Sequence, residues 1–266
     1  MQAGKVWAAC RNAILVVGPL LLVCIGCAAW ADQATPPDEV VVGFGNRLPP
    51  YVFPEQQTGM IVEIFREALA PQGYRVKPVF LPLKREAMLF DEHKIDAAML
   101  DFYVDMTKPG RVYGAPAFVY HNVLITLANR HLKIGSPADM QGLSVLAFQG
   151  ALGLYPEWLQ EVNAAGRYQE TNNQALQVLT LADGGVDVVL SDRVIFDYFR
   201  RQALSKHGNH GEVFEEHDVI ANNPDLYRTV FHDETVRDAY NAGLASLIKS
   251  QRYDQIVKSF MDRPVD

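Results

Sequence analysis

His207, His210, Glu212 and His217 supply the residue types of a metal site within one short stretch. They lie among Gly208 and Gly211 in hydrophilic surroundings, so the stretch reads as a solvated loop and no metal or other cofactor is expected. Cys24 and Cys27 have the C-x-x-C spacing of metal or redox chemistry. Both fall in or beside an apolar N-terminal run, as does Cys10, and that setting argues against either chemistry. H-E-x-x-H, the phosphate-binding P-loop and G-x-S-x-G are all missing. Gly43-Phe44-Gly45 starts a dinucleotide-like pattern but lacks its third glycine and an immediate helix. The remaining candidates are charged or aromatic: Tyr51 behind two prolines, and the basic Arg47, Arg85, Lys108 and Arg111. A basic group at Arg85, in the first turn of an expected helix, is unusual because the macrodipole there favours anions.

These residues need a scaffold, and composition narrows it. The 266 residues are 49% hydrophobic and 21% charged, with 24 Lys and Arg against 31 Asp and Glu for a formal net charge of -7. An acidic chain of average composition argues against nucleic-acid binding, disorder and coiled coil. Lys5 and Arg11, the apolar run from Ala13 to Ile25 and the small residues Ala29 and Ala31 read as an export signal cleaved after Ala31. That run is shorter than the roughly 20 residues a spanning helix needs. Gly26-Cys27 leaves lipidation at Cys27 as the alternative. Either way the working protein would carry no disulfide, and cleavage after Ala31 would leave a periplasmic chain without cysteine.

Hydrophobic periodicity predicts alternating strands and helices. Val40 to Val42 reads as a strand, and Ile61, Ile64, Phe65 and Leu69 as one face of a helix that Gly59 opens and Pro71 and Gly73 end. A strand at Arg75 to Phe80, a helix over Lys84 to Glu92 and a strand at Ala97 to Leu100 follow. The pattern repeats with a strand at Leu143 to Phe148 and helices at Pro156 to Asn163 and Asn173 to Ala182, and Gly184 to Ser191 then reads as a helix end, Asp187 and a short apolar strand. The helix at Asn173 to Ala182 is read as amphipathic through Leu176, Val178 and Leu179. Alternation of this kind implies parallel sheets with helices on their faces. Asp96 and Asp187 occupy matching helix-to-strand positions, where a carboxylate would cap local donors. Val123 to Leu127 and Leu226 to Phe231 read as the extended joins between halves, and the last forty residues as helices.

Taken together, several fragments resemble the bacterial family 3 extracellular solute-binding proteins. They are Pro49-Pro50-Tyr51, Gly59, Lys94-Ile95-Asp96, Val112-Tyr113-Gly114-Ala115-Pro116, Asp139-Met140-Gln141-Gly142 and Gly184 to Asp192. The resemblance spans roughly residues 38 to 263. It implies an α/β, two-lobed periplasmic-binding-protein (venus-flytrap) fold of type II. Lobe 1 would be 38–124 with 227–266, lobe 2 would be 125–226, and two hinge crossings would join them. It also implies a ligand between the lobes, an inner-membrane ABC permease or sensor as partner, and a monomer.

Carried onto this sequence, the resemblance places the carboxylate clamp at Lys108, with Arg111 as a substitute. It puts part of the aromatic shelf on Tyr51, the lobe-2 donor turn on Gly150-Ala151-Leu152, and the ammonium partner on Asp192. Arg85 matches a basic position of a divergent branch. Lys in place of Arg loses the bidentate fork, and Leu48, Leu83, Ala151 and Leu152 replace expected aromatic and hydroxyl groups. The leading expectation is capture of an amino acid or organic acid. Alternatives are a periplasmic cyclohexadienyl (prephenate) dehydratase-like enzyme using Asp101, Asp105 or Glu63 as its acid, and a signalling partner that has lost ligand binding.

Overall fold

The computed structural model describes residues 38–99, 110–207 and 212–263. The expected export signal, Cys27, Lys108, Asp101, Asp105 and His210 lie outside them. No helix of the described residues is long and apolar enough to cross a membrane.

The described residues begin with strand β1 (Asp38–Phe44), helix α1 (Met60–Leu69), β2 (Tyr74–Phe80), α2 (Leu83–Asp91) and the short β3 (Ala97–Met99) and β4 (Val112–Tyr113). A second unit follows with β5 (Asn122–Leu127), β6 (Val145–Phe148), α3 (Ala151–Leu154), α4 (Pro156–Ala164) and β7 (Tyr168–Thr171). It continues through α5 (Gln174–Ala182), β8 (Val188–Asp192), α6 (Arg193–His207) and β9 (Phe214–His217). The chain then returns with β10 (Thr229–Phe231), α7 (Glu234–Lys249) and α8 (Arg252–Met261).

Two five-stranded sheets result, ordered β2-β1-β3-β10-β4 and β7-β6-β8-β5-β9. In each, three strands are parallel, as the alternation of elements predicts: β2, β1 and β3 in the first, β7, β6 and β8 in the second. The remaining pairings are antiparallel. Each sheet thus receives a strand from the chain that has just crossed over: β5 runs against β8 in the second, and β10 against β3 in the first. Val123 to Leu127 is accordingly a fully buried interior strand, not a bare connection. The segment that crosses is the run before it, containing Phe118, Tyr120 and His121. On the return, Pro224–Tyr227 forms a short 3-10 turn before β10. The correction has a simple cause, since an all-apolar strand looks the same from sequence in a sheet centre or between units.

The apolar stripe of α1 buries Ile61, Ile64, Phe65 and Leu69 as expected, and Val62 with them. Each such side chain contributes about 1.5–3 kcal/mol when taken out of water. Helix α7 crosses α1 closely at Gly243, where a Cβ would lie 1.9 Å from the Ala68 carbonyl oxygen. Any larger residue there would force the helices apart.

Helix α5 presents only part of the face expected. Val178 is buried as expected, but Leu176 and Leu179 are exposed, and Gln177 and Leu181 are buried instead. Leucines all round the helix hide its phase. The buried Gln177 explains itself by donating to the Leu190 carbonyl at 3.1 Å.

Asp96 and Asp187 bond neighbouring strands instead of local donors. Asp96 accepts from the Val41 amide at 2.7 Å, and its own amide donates to the Val41 carbonyl at 2.8 Å. Asp187 accepts from the Ser144 amide at 2.9 Å and the Ser144 hydroxyl at 2.8 Å, and returns a bond to the Ser144 carbonyl. The two units therefore share one device, a carboxylate that hooks the incoming strand onto its neighbour. His217 also departs from expectation: it is buried on β9 and hydrogen-bonded to Thr126 Oγ1 at 3.0 Å, not solvated.

Candidate functional site

The loop after β1 is tied to the start of α1 by its own carbonyls. Met60 donates to Pro50 and Ile61 to Tyr51. This approach is open only because residue 59 is glycine, with φ +148° and a would-be Cβ 2.1 Å from the Tyr51 oxygen. Tyr51 is thereby pushed into the molecule, 4% exposed, with its ring 4.5 Å from Phe118 and 5.2 Å from Tyr120. Tyr120 in turn meets Tyr227 of the return crossing at 5.1 Å. An aromatic cluster therefore sits where both crossings pass. His121 and Asp218 join those crossings at 2.7 Å, and Arg193 bonds Asp218 at 3.0 Å.

Asp192 ends β8 and caps α6. Its Oδ1 accepts from the Ile195 amide at 2.9 Å and from the Tyr51 hydroxyl at 3.0 Å, and its Oδ2 from the His121 amide at 2.8 Å. The first of these is the N-cap bond that helices draw from aspartate. Burial pushes the Asp192 carboxyl up to about 6, although those three donors and the Val194 amide pull the other way. Burial, with the Asp192 charge next, drives the Tyr51 phenol well above its ordinary value. Tyr51 and Asp192, two of the sequence-derived site residues, are thus in direct contact across the units.

A cavity of about 180 Å³ opens beside them. It is lined by Leu48 of the first unit, Tyr120 of the crossing, and Asn122, Phe148, Gln149, Asn172, Gln174, Ser191, Asp192 and Ile195 of the second. A second space of about 240 Å³ shares Leu48 and Tyr120 and reaches Arg47, Pro82 and Met99 of the first unit. Phe148, Asn172 and Asp192 mark the C-terminal ends of the parallel strands β6, β7 and β8. Open α/β sheets bind ligands at these ends.

Gly150 and Ala151 stand where α3 starts, and the turn there is occupied by the protein itself. Glu170 accepts from the Gly150 amide at 2.8 Å, the Leu152 amide at 3.2 Å and the Tyr168 hydroxyl at 2.6 Å. Partial burial works to raise the Glu170 pKa, yet these donors outweigh it and hold the carboxyl below its usual range.

Arg85 and Arg111 are not brought to this cavity. Arg85 is exposed on the first turn of α2. The Arg111 side chain is 2% exposed, bonds Asp91 at 2.6 Å and lies 5.6 Å over the Phe90 ring, both on α2. Arg47 lines the second space but pairs with Glu55 at 3.1 Å. Glu63 accepts from Thr58 and Arg66 on α1 and lines neither space. Sequence reasoning missed the amides Asn122, Gln149, Asn172 and Gln174, and also Glu170. The available signal was position, because Gln149 and Asn172 directly follow predicted or observed strand ends.

No protein-family model and no curated protein matches the sequence. Solved structures do match in shape. A histidine kinase sensor domain with similarity to periplasmic binding proteins superposes at TM-score 0.60 and 20% identity, over 87% of this chain and 99% of that one. An ancestral cationic amino acid solute binding protein gives 0.64 at 15% identity, over 84% and 96%. A polar amino acid ABC uptake transporter substrate binding protein from Streptococcus thermophilus gives 0.61 at 19%, over 84% and 85%. These likenesses agree with the two sheets and the two crossings, and the chain has the two-lobed periplasmic-binding-protein fold.

Proposed function

We propose that the chain is a periplasmic solute-binding protein that captures a small polar solute between its lobes and presents it to an inner-membrane permease or sensor. The observation that carries this reading is the cavity at the ends of β6, β7 and β8, which Leu48 and Tyr120 close from the other side. A solute there touches both lobes, and contact with both favours the closed arrangement over the open one. Asp192, held from behind by Tyr51, would form its floor, and the amide side chains its polar wall. The matched proteins named for amino acid uptake and for sensing support the same reading by shape.

The test is a thermal-shift screen of the mature protein against amino acids, organic acids, amines and prephenate. A true ligand at one hundred times its dissociation constant adds about 2.7 kcal/mol to stability, and solution scattering should show compaction. Turnover of prephenate would replace this reading with the enzyme. A screen in which nothing stabilises the protein would remove it.

A further inference from the structure

Leu48 and Tyr120 border both spaces of the cleft, and the walls on either side of them differ in chemistry. The space of about 180 Å³ carries polar side chains of the second lobe, among them Asn122, Gln149, Asn172, Gln174 and Ser191. The space of about 240 Å³ runs into the first lobe, where Leu48, Val52, Ile61, Pro82 and Met99 line it. Val52, Ile61 and Met99 belong to the buried core cluster of that lobe, so this space opens directly onto hydrophobic core.

The backbone there has little left to offer a polar group. Leu48 and Val52 exchange amide-to-carbonyl bonds across a tight turn, and the Tyr51 amide also donates to Leu48. The Ile61 amide donates to the Tyr51 carbonyl. Pro82 has no N–H, and its carbonyl accepts from the Arg85 and Glu86 amides. Met99 is paired with Thr229 in the sheet. Besides Tyr120, the polar side chains lining this space are Asn46 and Arg47; both are exposed, and Arg47 is held by Glu55 at 3.1 Å. A polar group moved in would give up water without gaining equivalent bonds, whereas a hydrocarbon gains from the same transfer. The second-lobe space is the reverse, because amide side chains offer both an acceptor and donors.

We propose that the solute is amphipathic: an unbranched hydrocarbon arm enters the first-lobe space past Leu48 and Tyr120, and a hydrogen-bonding head stays against the second lobe. This deepens the solute-binding reading above and rests on it. The arm selects among solutes that share a head, because its apolar surface is what the first-lobe walls reward.

Chain-length series test it. Calorimetry would compare glycine, L-alanine, L-norvaline and L-norleucine, and in parallel the amides and the carboxylates of two, four, six and eight carbons. In whichever series binds, each methylene that enters the space should tighten binding about fourfold. L-Norleucine should also bind more tightly than L-glutamine or L-lysine, whose arms end in polar groups. Leu48→Asn places a polar side chain of similar size at the junction and should flatten the dependence on chain length, while Leu48→Met should preserve it. The dependence is a ratio within one protein, so a variant of lowered stability still reports it below its melting temperature. Affinity that stays flat or falls with chain length, or tighter binding of L-glutamine or L-lysine, would overturn this inference and leave solute binding standing. So would a full dependence in Leu48→Asn, or a ligand from the wider screen when no member of any series binds. If neither the series nor the wider screen yields a ligand, both readings fall together.

Discussion

Tyr51 of the first lobe donates to Asp192 of the second at 3.0 Å, in a site where both residues are almost fully buried. The bond joins a loop held by α1 to the cap of α6, so it couples the two lobes beside the cavity that Asp192 lines. Burial of a carboxylate is costly unless donors surround it, and Tyr51 is one of the few donors Asp192 has.

Tyr51→Phe tests that coupling. The ring keeps its contacts with Phe118 and Tyr120, and only the hydroxyl is lost. A hydrogen bond to a charged group contributes about 1.5–3 kcal/mol, so denaturant unfolding should show a loss of that order. Scattering of the unliganded variant should also shift toward a more open form. Wild-type stability and shape together would show that the bond does not tie the lobes.

Asp192→Asn tests the pH dependence. The folded carboxyl titrates near 6, against 3.8 for an unperturbed aspartate. Between those values the folded state binds more protons than the unfolded state, so this group's contribution to stability falls as pH rises from about 4 to 6. The two-unit gap corresponds to roughly 3 kcal/mol. Relative to the Asn variant, the parent should gain stability as pH drops from 7 to 4. Parallel melting curves of the two proteins across that range would contradict the assignment. The unliganded Asn variant should also melt differently from the parent at neutral pH, since Asp192 is a buried helix cap and not a carboxylate open to water.

Gly59→Ala tests the placement of the loop. The added methyl would collide with the Tyr51 carbonyl, and the residue sits at φ +148°. Substitution of a glycine in such a conformation costs more than about 1 kcal/mol. The variant should lose stability and, where it still folds, bind the screened solute more weakly, because Tyr51 can no longer reach Asp192. Calorimetry at a temperature below the variant's melting point separates the two effects.

Asp187→Ala tests the strand hook. Removing the carboxylate leaves the Ser144 amide and hydroxyl without their partner, and a part-buried donor left unmet costs about 1–3 kcal/mol. Hydrogen exchange should rise at the start of β6 while β1 stays protected. Asp96→Ala should give the mirror result in the first lobe.

Much of this architecture was legible along the chain. The stripe of Ile61, Ile64, Phe65 and Leu69, the repeat of helix end, aspartate and apolar strand, and the helical spacing of Tyr240, Leu244 and Leu247 all report local periodicity. Local periodicity survives folding because it arises from which face of an element meets the core. Asp192 was legible too, as a carboxylate at a strand end, and so was Gly59.

What sequence could not supply was partnership between distant residues. Tyr51 and Asp192 stand 141 positions apart and touch only because the two crossings bring a lobe-1 loop over a lobe-2 strand end. Arg111 has the charge of a ligand clamp, yet packing against Phe90 and Asp91 commits it to α2. Glu170 looks like any surface carboxylate until the parallel pairing of β6 and β7 sets it beside the Gly150 turn. Residue type and spacing along the chain determined which elements form and which groups could do chemistry. Strand order and chain crossing alone decided which of those groups meet, because a hydrogen bond needs atoms within about 3 Å and only the folded sheet sets that distance.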